Sequence, residues 1–380
     1  MIWDVGDDHL TLGEKLAQIS WSLVLLITLV ASVGFAMLYS AANGNLDPWA
    51  SRQMVRFGAG MGLLLVCALI DIRIWMRFAY VLYGLTLMLL VAVEFFGFVG
   101  MGAQRWIDLG FMQLQPSEVM KVCLVLALAR YFHGATLEDT GRILHLVLPL
   151  LLVLAPVGLV LLQPNLGTSL TLLAVSGALF FLSGVRLWKF GLVIGAGLAA
   201  IPVAWQFLHD YQKNRVLTFL DPESDPLGTG YHIMQSKIAL GSGGLFGKGF
   251  LQGTQSHLNF LPEKQTDFIF TMLAEEFGLV GAVGFLTLYC LLLLYGFVIA
   301  LRCKHQFGRL VALGLTINLF LYLFINVAMN MGLIPVVGIP LPLLSYGGTA
   351  TLTVMIGFGI LLSVHVHRDV RMSRRGISDF

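Results

Sequence analysis

The sequence predicts an all-α polytopic membrane protein: ten transmembrane helices, with one large extracytoplasmic loop between helices 7 and 8. Three observations carry that expectation. Hydrophobic residues make up 57% of 380 and charged residues only 12%, with a mean hydropathy of +0.84, outside the range of soluble domains of this length. The apolar residues gather into runs of roughly 20, the length a bilayer core needs at about 1.5 Å per helical residue. A single long polar stretch, 209–266, interrupts them.

Residues 1–19 open acidic and polar (MIWDVGDDHLTLGEK), where a signal peptide would carry a basic n-region with an apolar stretch close behind. The first apolar run therefore reads as a retained span and 1–19 as a cytoplasmic N-terminus. A single membrane domain follows over 20–367, its segments at 20–39, 54–70, 78–98, 117–132, 144–162, 166–183, 187–208, 268–301, 310–331 and 347–365. The fourth is short, and the fifth and sixth are joined only by Gln163-Pro164-Asn165, a tight connection. Residues 368–380 form a basic cytoplasmic tail.

Lysine and arginine in the short loops set the orientation. With both termini cytoplasmic, fourteen basic residues lie inside, against Arg52, Arg56 and Arg105 in the short outside loops. This puts 209–266 on the outer face. Loops of that length are functional or disordered, and this one carries Tyr211, Phe219, Tyr231, Ile233, Phe246 and Phe250, enough apolar surface to pack as short helices along the membrane. A net charge of +2 without a basic tract before the tail gives no sign of nucleic-acid binding. Cys67, Cys123, Cys290 and Cys303 lack metal-type spacing and read as free thiols.

Ionisable residues at membrane depth are functional candidates by default. Glu118 and Lys121 open the fourth segment within QPSEVMK, three apart on one helix face. They form either an internal ion pair behind Pro116 in the first turn, or a lysine offered to an anionic substrate group; a pair can do both. Arg105, Trp106 and Asp108 in GAQRWIDLG fit an interfacial anchor. The run 241–249, GSGGLFGKG, fails the Walker spacing because Gly249 follows Lys248, and reads first as a flexible turn, with an anion-binding nest as the alternative. Asp267 stands where the polar loop meets the eighth apolar segment, within LPEKQTDFIFTMLAEEFGLVG. Either it or Thr266 could be the N-cap of that helix, or Asp267 could serve a substrate with a polar head and a lipid tail. Glu275 and Glu276 beyond it require partners or a cavity.

GAQRWIDLG, QPSEVMK, QPNLGTS, NRVLTFLDPESDPLGTGYHIMQSKIALGSGGLFGKG, TQSHLNFLPEKQTDFIF and PLPLLSYGG, in this order on ten spans, resemble the SEDS family of shape, elongation, division and sporulation proteins. The resemblance covers about residues 20–367 and is nearest the elongation-type members. It implies a peptidoglycan glycosyltransferase of the bacterial cytoplasmic membrane that polymerises lipid II, an undecaprenyl-pyrophosphoryl disaccharide-pentapeptide, on the outer face. The essential acid of the family maps onto Asp267, and its polar cavity residues onto Glu118, Lys121, Arg105, Arg215 and Arg52; Lys237 joins this basic set in the large loop. The chain departs from the family at Asn165, where the pattern reads Gln-Pro-Asp, which puts any electrostatic role of that acid in doubt here.

Asp267 would then take the proton from the acceptor's 4-hydroxyl while Lys121, Arg215 and Arg105 stabilise the departing pyrophosphate, a single displacement with inversion. The chemistry is compatible with no cofactor, or with a divalent cation, Mg or Mn, bridging Asp267 and the pyrophosphate. The resemblance further implies a class B penicillin-binding protein and other elongation-complex proteins as partners. A lipid II flippase is the rival; it needs a polar path through the core, whereas an enzyme needs its acid and cations on one face.

Overall fold

The computed structural model describes residues 11–100, 103–108, 110, 113–207, 210–221, 229–258, 260, 263–370 and 372. Parts of five expectations lie outside these: residues 1–10 of the N-terminus, 102 and 109 of GAQRWIDLG, 208 of the seventh apolar segment, 209, 222–228, 259 and 261–262 of the large loop, and 371 and 373–380 of the basic tail.

A capping box between Thr11 and Glu14 starts α1 (Leu12–Gln18). Three long apolar helices follow, α2 (Trp21–Ala41), α3 (Ala50–Leu69) and α4 (Ile72–Phe96), then three short strands, β1 (Phe98–Gly100), β2 (Ala103–Asp108) and β3 (Gln113–Leu114). The middle of the chain holds α5 (Pro116–Gly134), α6 (Leu137–Gly141), α7 (Ile143–Leu162), α8 (Leu166–Leu182) and α9 (Leu187–Phe207). The polar stretch contributes α10 (Asp210–Leu220), α11 (Thr229–Ser242) and α12 (Thr254–His257), and the chain closes with α13 (Ile269–Arg302), α14 (Gln306–Asn330) and α15 (Gly348–Val366). By length and composition seven of these helices can cross a membrane: α2, α3, α4, α7, α13, α14 and α15.

The purely α-helical expectation needs one correction. Ala103–Asp108 of GAQRWIDLG form β2, the middle strand of an antiparallel sheet in the order β1-β2-β3, pairing Phe98 with Trp106 and Ile107 with Leu114. Strands of two to six residues are too short to declare a period of two in the sequence.

The core is organised around α5, which is apolar nearly all round and packs on α4, α7, α8, α14 and α15. Its short length suits a helix enclosed by protein. At the α7–α8 connection Asn165 is the N-cap of α8, accepting from the Thr168 N–H at 3.3 Å. Asn and Asp cap equally well, so this function survives without a charge at 165.

The large-loop helices pack on the bundle as well as on one another. The Ser236 hydroxyl of α11 pairs with Thr271 Oγ1 at 2.8 Å and donates to the Asn330 carbonyl at 2.7 Å. The glycine run 241–249 is a backbone-packing device rather than a flexible turn. Helix α13 breaks at Gly278 (φ 65°), and the run closes against the break: Lys248 and Gly249 N–H donate to the carbonyls of Glu275 and Glu276, while Leu279 and Val280 N–H donate to those of Gly244 and Leu245. A Cβ on Gly247 would sit 2.1 Å from the Glu276 oxygen, so only glycine permits this approach. The Glu275 carboxylate, fully buried, accepts from Lys248 Nζ at 2.8 Å and from the Gln255 and Ser256 N–H groups. Glu276 accepts from the Ser40 hydroxyl and pairs with His257 Nε2 at 3.2 Å. Both acids thus clamp the loop. Beyond the break, 279–302 is still about 36 Å of helix, enough to cross hydrocarbon alone.

Candidate active site

Asp267 ends a tight turn whose Glu263 carbonyl accepts from the N–H groups of Thr266 and Asp267 at 3.0 and 3.2 Å. Neither residue is the helix cap: the N-cap of α13 is Phe268, without a side-chain hydrogen bond, and the Thr266 hydroxyl turns back to Glu263. The backbone of 265–267 is instead held from two sides. On one, Asn326 Nδ2 of α14 donates to the Asp267 carbonyl at 3.0 Å and to the Ile339 carbonyl at 2.9 Å. On the other, the PLPLLSYGG segment supplies the Ser345 hydroxyl to the Thr266 carbonyl at 2.6 Å and the Tyr346 N–H to the Gln265 carbonyl at 2.8 Å. The half-buried Asp267 carboxylate faces Gly338, on which a Cβ would lie 3.4 Å from Oδ2.

One turn along α14 lies the second charged group. Lys121, 2% exposed, donates to Glu118 Oε1 at 2.7 Å and to the Tyr322 hydroxyl at 2.7 Å, and the same hydroxyl donates to Glu118 Oε2. The ion pair expected from the i, i+3 spacing is therefore present, closed by a tyrosine no local pattern supplies. Tyr322 and Asn326 belong to a stripe, Asn318, Tyr322, Asn326 and Asn330, buried on one face of α14 at four-residue spacing. At about 6 Å per four residues, Tyr322 joins the Glu118–Lys121 pair to the anchor of Asp267. Sequence reasoning missed these residues, although four polar side chains at that period in an apolar helix were a usable signal.

The cations fall into three groups. Arg105, on β2, donates Nε–H to the Gln163 carbonyl at 3.1 Å and Nη2–H to the Pro164 carbonyl. It rims an apolar groove of about 320 Å³ whose walls include Gly167, Val216, Ile325, Val337 and Ile339. That groove adjoins Asp267, because Ile325 precedes its anchor Asn326 and Gly338 lies between Val337 and Ile339. Arg215 lies beside Val216 on α10. Lys237 of α11 is exposed and reaches Gly332 beyond α14, at the Asp267 end of the bundle. Arg52 is exposed on the first turn of α3. One turn on, Arg56 stacks over the Tyr346 ring at 4.6 Å beside Gly348, and its Nη1 is buried without a partner among the described residues. Of the two arginines, Arg56 is the one applied to the segment that holds 265–267.

Among the described residues no three His, Cys, Asp or Glu side chains come together as a metal site. Asp267 offers one carboxylate, fewer oxygen ligands than Mg or Mn takes.

A bundle with seven helices long and apolar enough to cross a membrane, and one backbone-held acid beside an arginine-rimmed apolar groove, is the form of a lipid-handling membrane enzyme. The chain belongs to the FtsW/RodA/SpoVE family, described as cell cycle proteins, whose model matches residues 14–370. The peptidoglycan glycosyltransferase MrdB of Escherichia coli K12 is 48% identical over 353 residues, covering 91% of this chain and 94% of that protein. The MrdB of Helicobacter pylori is 40% identical over 329 residues, 84% of each. Among solved structures, the rod shape determining protein RodA of Thermus thermophilus aligns with a TM-score of 0.71 at 33% identity, over 93% of this chain and 98% of that one. A chain of a peptidoglycan synthase complex that coordinates polymerization and crosslinking aligns with a TM-score of 0.79 at 35% identity, over 92% and 98%.

Proposed function

We infer that the protein is a RodA-type peptidoglycan glycosyltransferase that polymerises lipid II into glycan strands during cell elongation. The observation that carries the site is the position of Asp267: an acid whose backbone is held by Asn326, Ser345 and Tyr346, next to a groove that is apolar in its walls and cationic at its rim. A prenyl diphosphate has the matching division into hydrocarbon and charge.

In the proposed reaction the acceptor's 4-hydroxyl gives its proton to the Asp267 carboxylate as its oxygen bonds to the donor's anomeric carbon. The bond from that carbon to the diphosphate oxygen breaks, and undecaprenyl diphosphate leaves with the electron pair. Attack opposite the leaving group inverts the anomeric centre. A positioned base contributes about 10²–10⁴-fold. Arg105, Arg215 and Lys121 stabilise the developing negative charge, with Arg56, Arg52 and Lys237 around the headgroup. Glu118 and Tyr322 engage the buried Lys121 ammonium through two of its three donors, and in the proposed reaction it acts on the diphosphate through its charge.

The proposed topology has ten crossings, adding α5, α8 and α9 to the seven long apolar helices, with both termini cytoplasmic, 209–266 outside, and Asp267 at the outer face. The positive-inside asymmetry supports it. A class B penicillin-binding protein is the proposed partner, in keeping with the synthase complex this chain resembles. Against a flippase, residues 122–129 of α5, inward from Lys121, are all buried and apolar, which favours an enzyme with its charges at one end. The test is incubation of the purified protein with labelled lipid II, with and without the partner. Glycan ladders on a gel support the reading, and unconsumed lipid II in the presence of the partner contradicts it.

A further inference from the structure

At the end of the bundle opposite Asp267, a groove of about 690 Å³ runs between α2 and α13. We propose that this groove, between the Leu25–Leu29 stripe of α2 and the Leu291–Leu294–Val298 stripe of α13 and rimmed by Arg302 and Arg368, binds an anionic glycerophospholipid. Its leaflet is cytoplasmic on the orientation proposed above; the site itself does not depend on that orientation.

The two walls are matched for acyl chains. Leu25 and Leu29 are four apart, Leu291, Leu294 and Val298 three and four apart, so each set forms one face of its helix, and all five are at least a third exposed. From Arg302 inward to Leu291 is eleven residues, about 16 Å of helix, close to half the ~30 Å hydrocarbon core.

The rim is matched for a phosphate. Arg302 is exposed and pairs with no carboxylate among the described residues. Arg368 reaches Asp369 at 3.5 Å, but Lys304 holds that acid more closely at 2.6 Å, so the rim keeps net positive charge. His365 meets Arg368 Nη1 through Nε2 at 3.4 Å, and its Nδ1 is buried without a partner among the described residues. Facing these, α2 begins at Ser20 with no side-chain cap, so the positive end of its dipole points into the same rim. Ser20 and Ser22 bond the Tyr295 hydroxyl two turns inward from Arg302, placing polar groups at the depth of the ester linkages rather than of the chains. A zwitterionic lipid would bring a second cation against Arg302 and Arg368, which selects an anionic head.

The test is native mass spectrometry of the purified full chain supplied with phosphatidylglycerol, with phosphatidylcholine of the same acyl chains, or with glycerol 1-phosphate. Phosphatidylglycerol should be retained preferentially. The Arg302→Gln/Arg368→Gln variant should lower that retention about 25-fold, from roughly five-fold per basic residue, and Leu294→Trp, at an already exposed position, should lower it by filling the wall. Arg142→Gln, remote from the groove, should leave it unchanged. Equal retention of the two lipids, undiminished binding in the double variant, or equal uptake of tail-less glycerol 1-phosphate would each overturn the proposal. So would a photoreactive residue at position 294 that crosslinks in native membranes to a protein helix and to no lipid.

Discussion

Asn326 makes no contact with a reacting atom in the proposed reaction, yet its replacement should disable it. Its amide donates to two carbonyls, of Asp267 at 3.0 Å and Ile339 at 2.9 Å, and its oxygen accepts from Asn330 at 3.1 Å. Asn326→Leu removes both donors and leaves buried acceptors unsatisfied, at about 1–1.5 kcal/mol each, or about 2–3 kcal/mol in all. The melting temperature should fall, but the protein should fold. Catalysis should suffer more, because the Asp267 backbone and the segment walling the groove would move independently, and a misplacement of about 1 Å costs on the order of 10²-fold. Asn326→Asp separates the two effects: it keeps the shape and the acceptor for Asn330 but presents oxygen to two carbonyl oxygens. Both variants should lose kcat for lipid II consumption with KM little changed, since a base acts in the transition state. A kcat within about three-fold of wild type, alongside the expected fall in melting temperature, would make Asn326 merely structural and refute the positioning argument.

Three further outcomes follow from the same geometry. Lys121→Ala alone strands a buried carboxylate and should destabilise by about 3–5 kcal/mol. The charge-free pair Glu118→Gln/Lys121→Met should keep the fold while slowing polymerisation by on the order of 10²-fold, and wild-type turnover by this double variant would leave Lys121 with a packing role only. Gly247→Ala, which sets a Cβ 2.1 Å from a backbone oxygen at φ +80°, should displace the loop from α13 and raise proteolysis within it, whereas Gly241→Ala, with open space around it, should behave as wild type; equal sensitivity at both positions would count against the backbone contact. His305 caps α14 through Nδ1, accepting the Gly308 N–H at 2.9 Å, and burial lowers its pKa to about 4. Unfolded histidine titrates near 6.5, so the unfolded chain gains a proton the fold refuses; stability from this group is full above pH 6.5 and declines as pH falls to 4, by on the order of 3 kcal/mol. Melting curves from pH 7.5 to 4.5 should show that decline, and His305→Asn, which caps without titrating, should flatten it; an unchanged slope would show that other groups carry the effect.

The long helices were legible because hydrocarbon imposes its thickness on the sequence: each apolar run falls on a helix, with ends shifted by a few residues. Asp267 was legible as the acid at a polar–apolar boundary, and Glu118–Lys121 as an i, i+3 pair. What could not be read depends on contacts distant in sequence. The glycine run looked like a turn, because its function lies in backbone approach to 274–280. The resemblance points to Arg52, and only the placement of Tyr346 brings Arg56 to the segment that holds 265–267. Tyr322 and Asn326 belong to no local motif, and only their four-residue spacing marks a shared face. The small sheet around Arg105 was hidden by strands too short for a periodic signal.

The central claim is tested most directly by Asp267→Asn, which keeps the backbone contacts to Asn326 and replaces only the basic oxygen. Purified in detergent, with a melting temperature near wild type and its partner present, this variant should consume labelled lipid II at least about 10²-fold more slowly and leave no glycan ladder. Chains made at the wild-type rate by that folded protein would contradict the account.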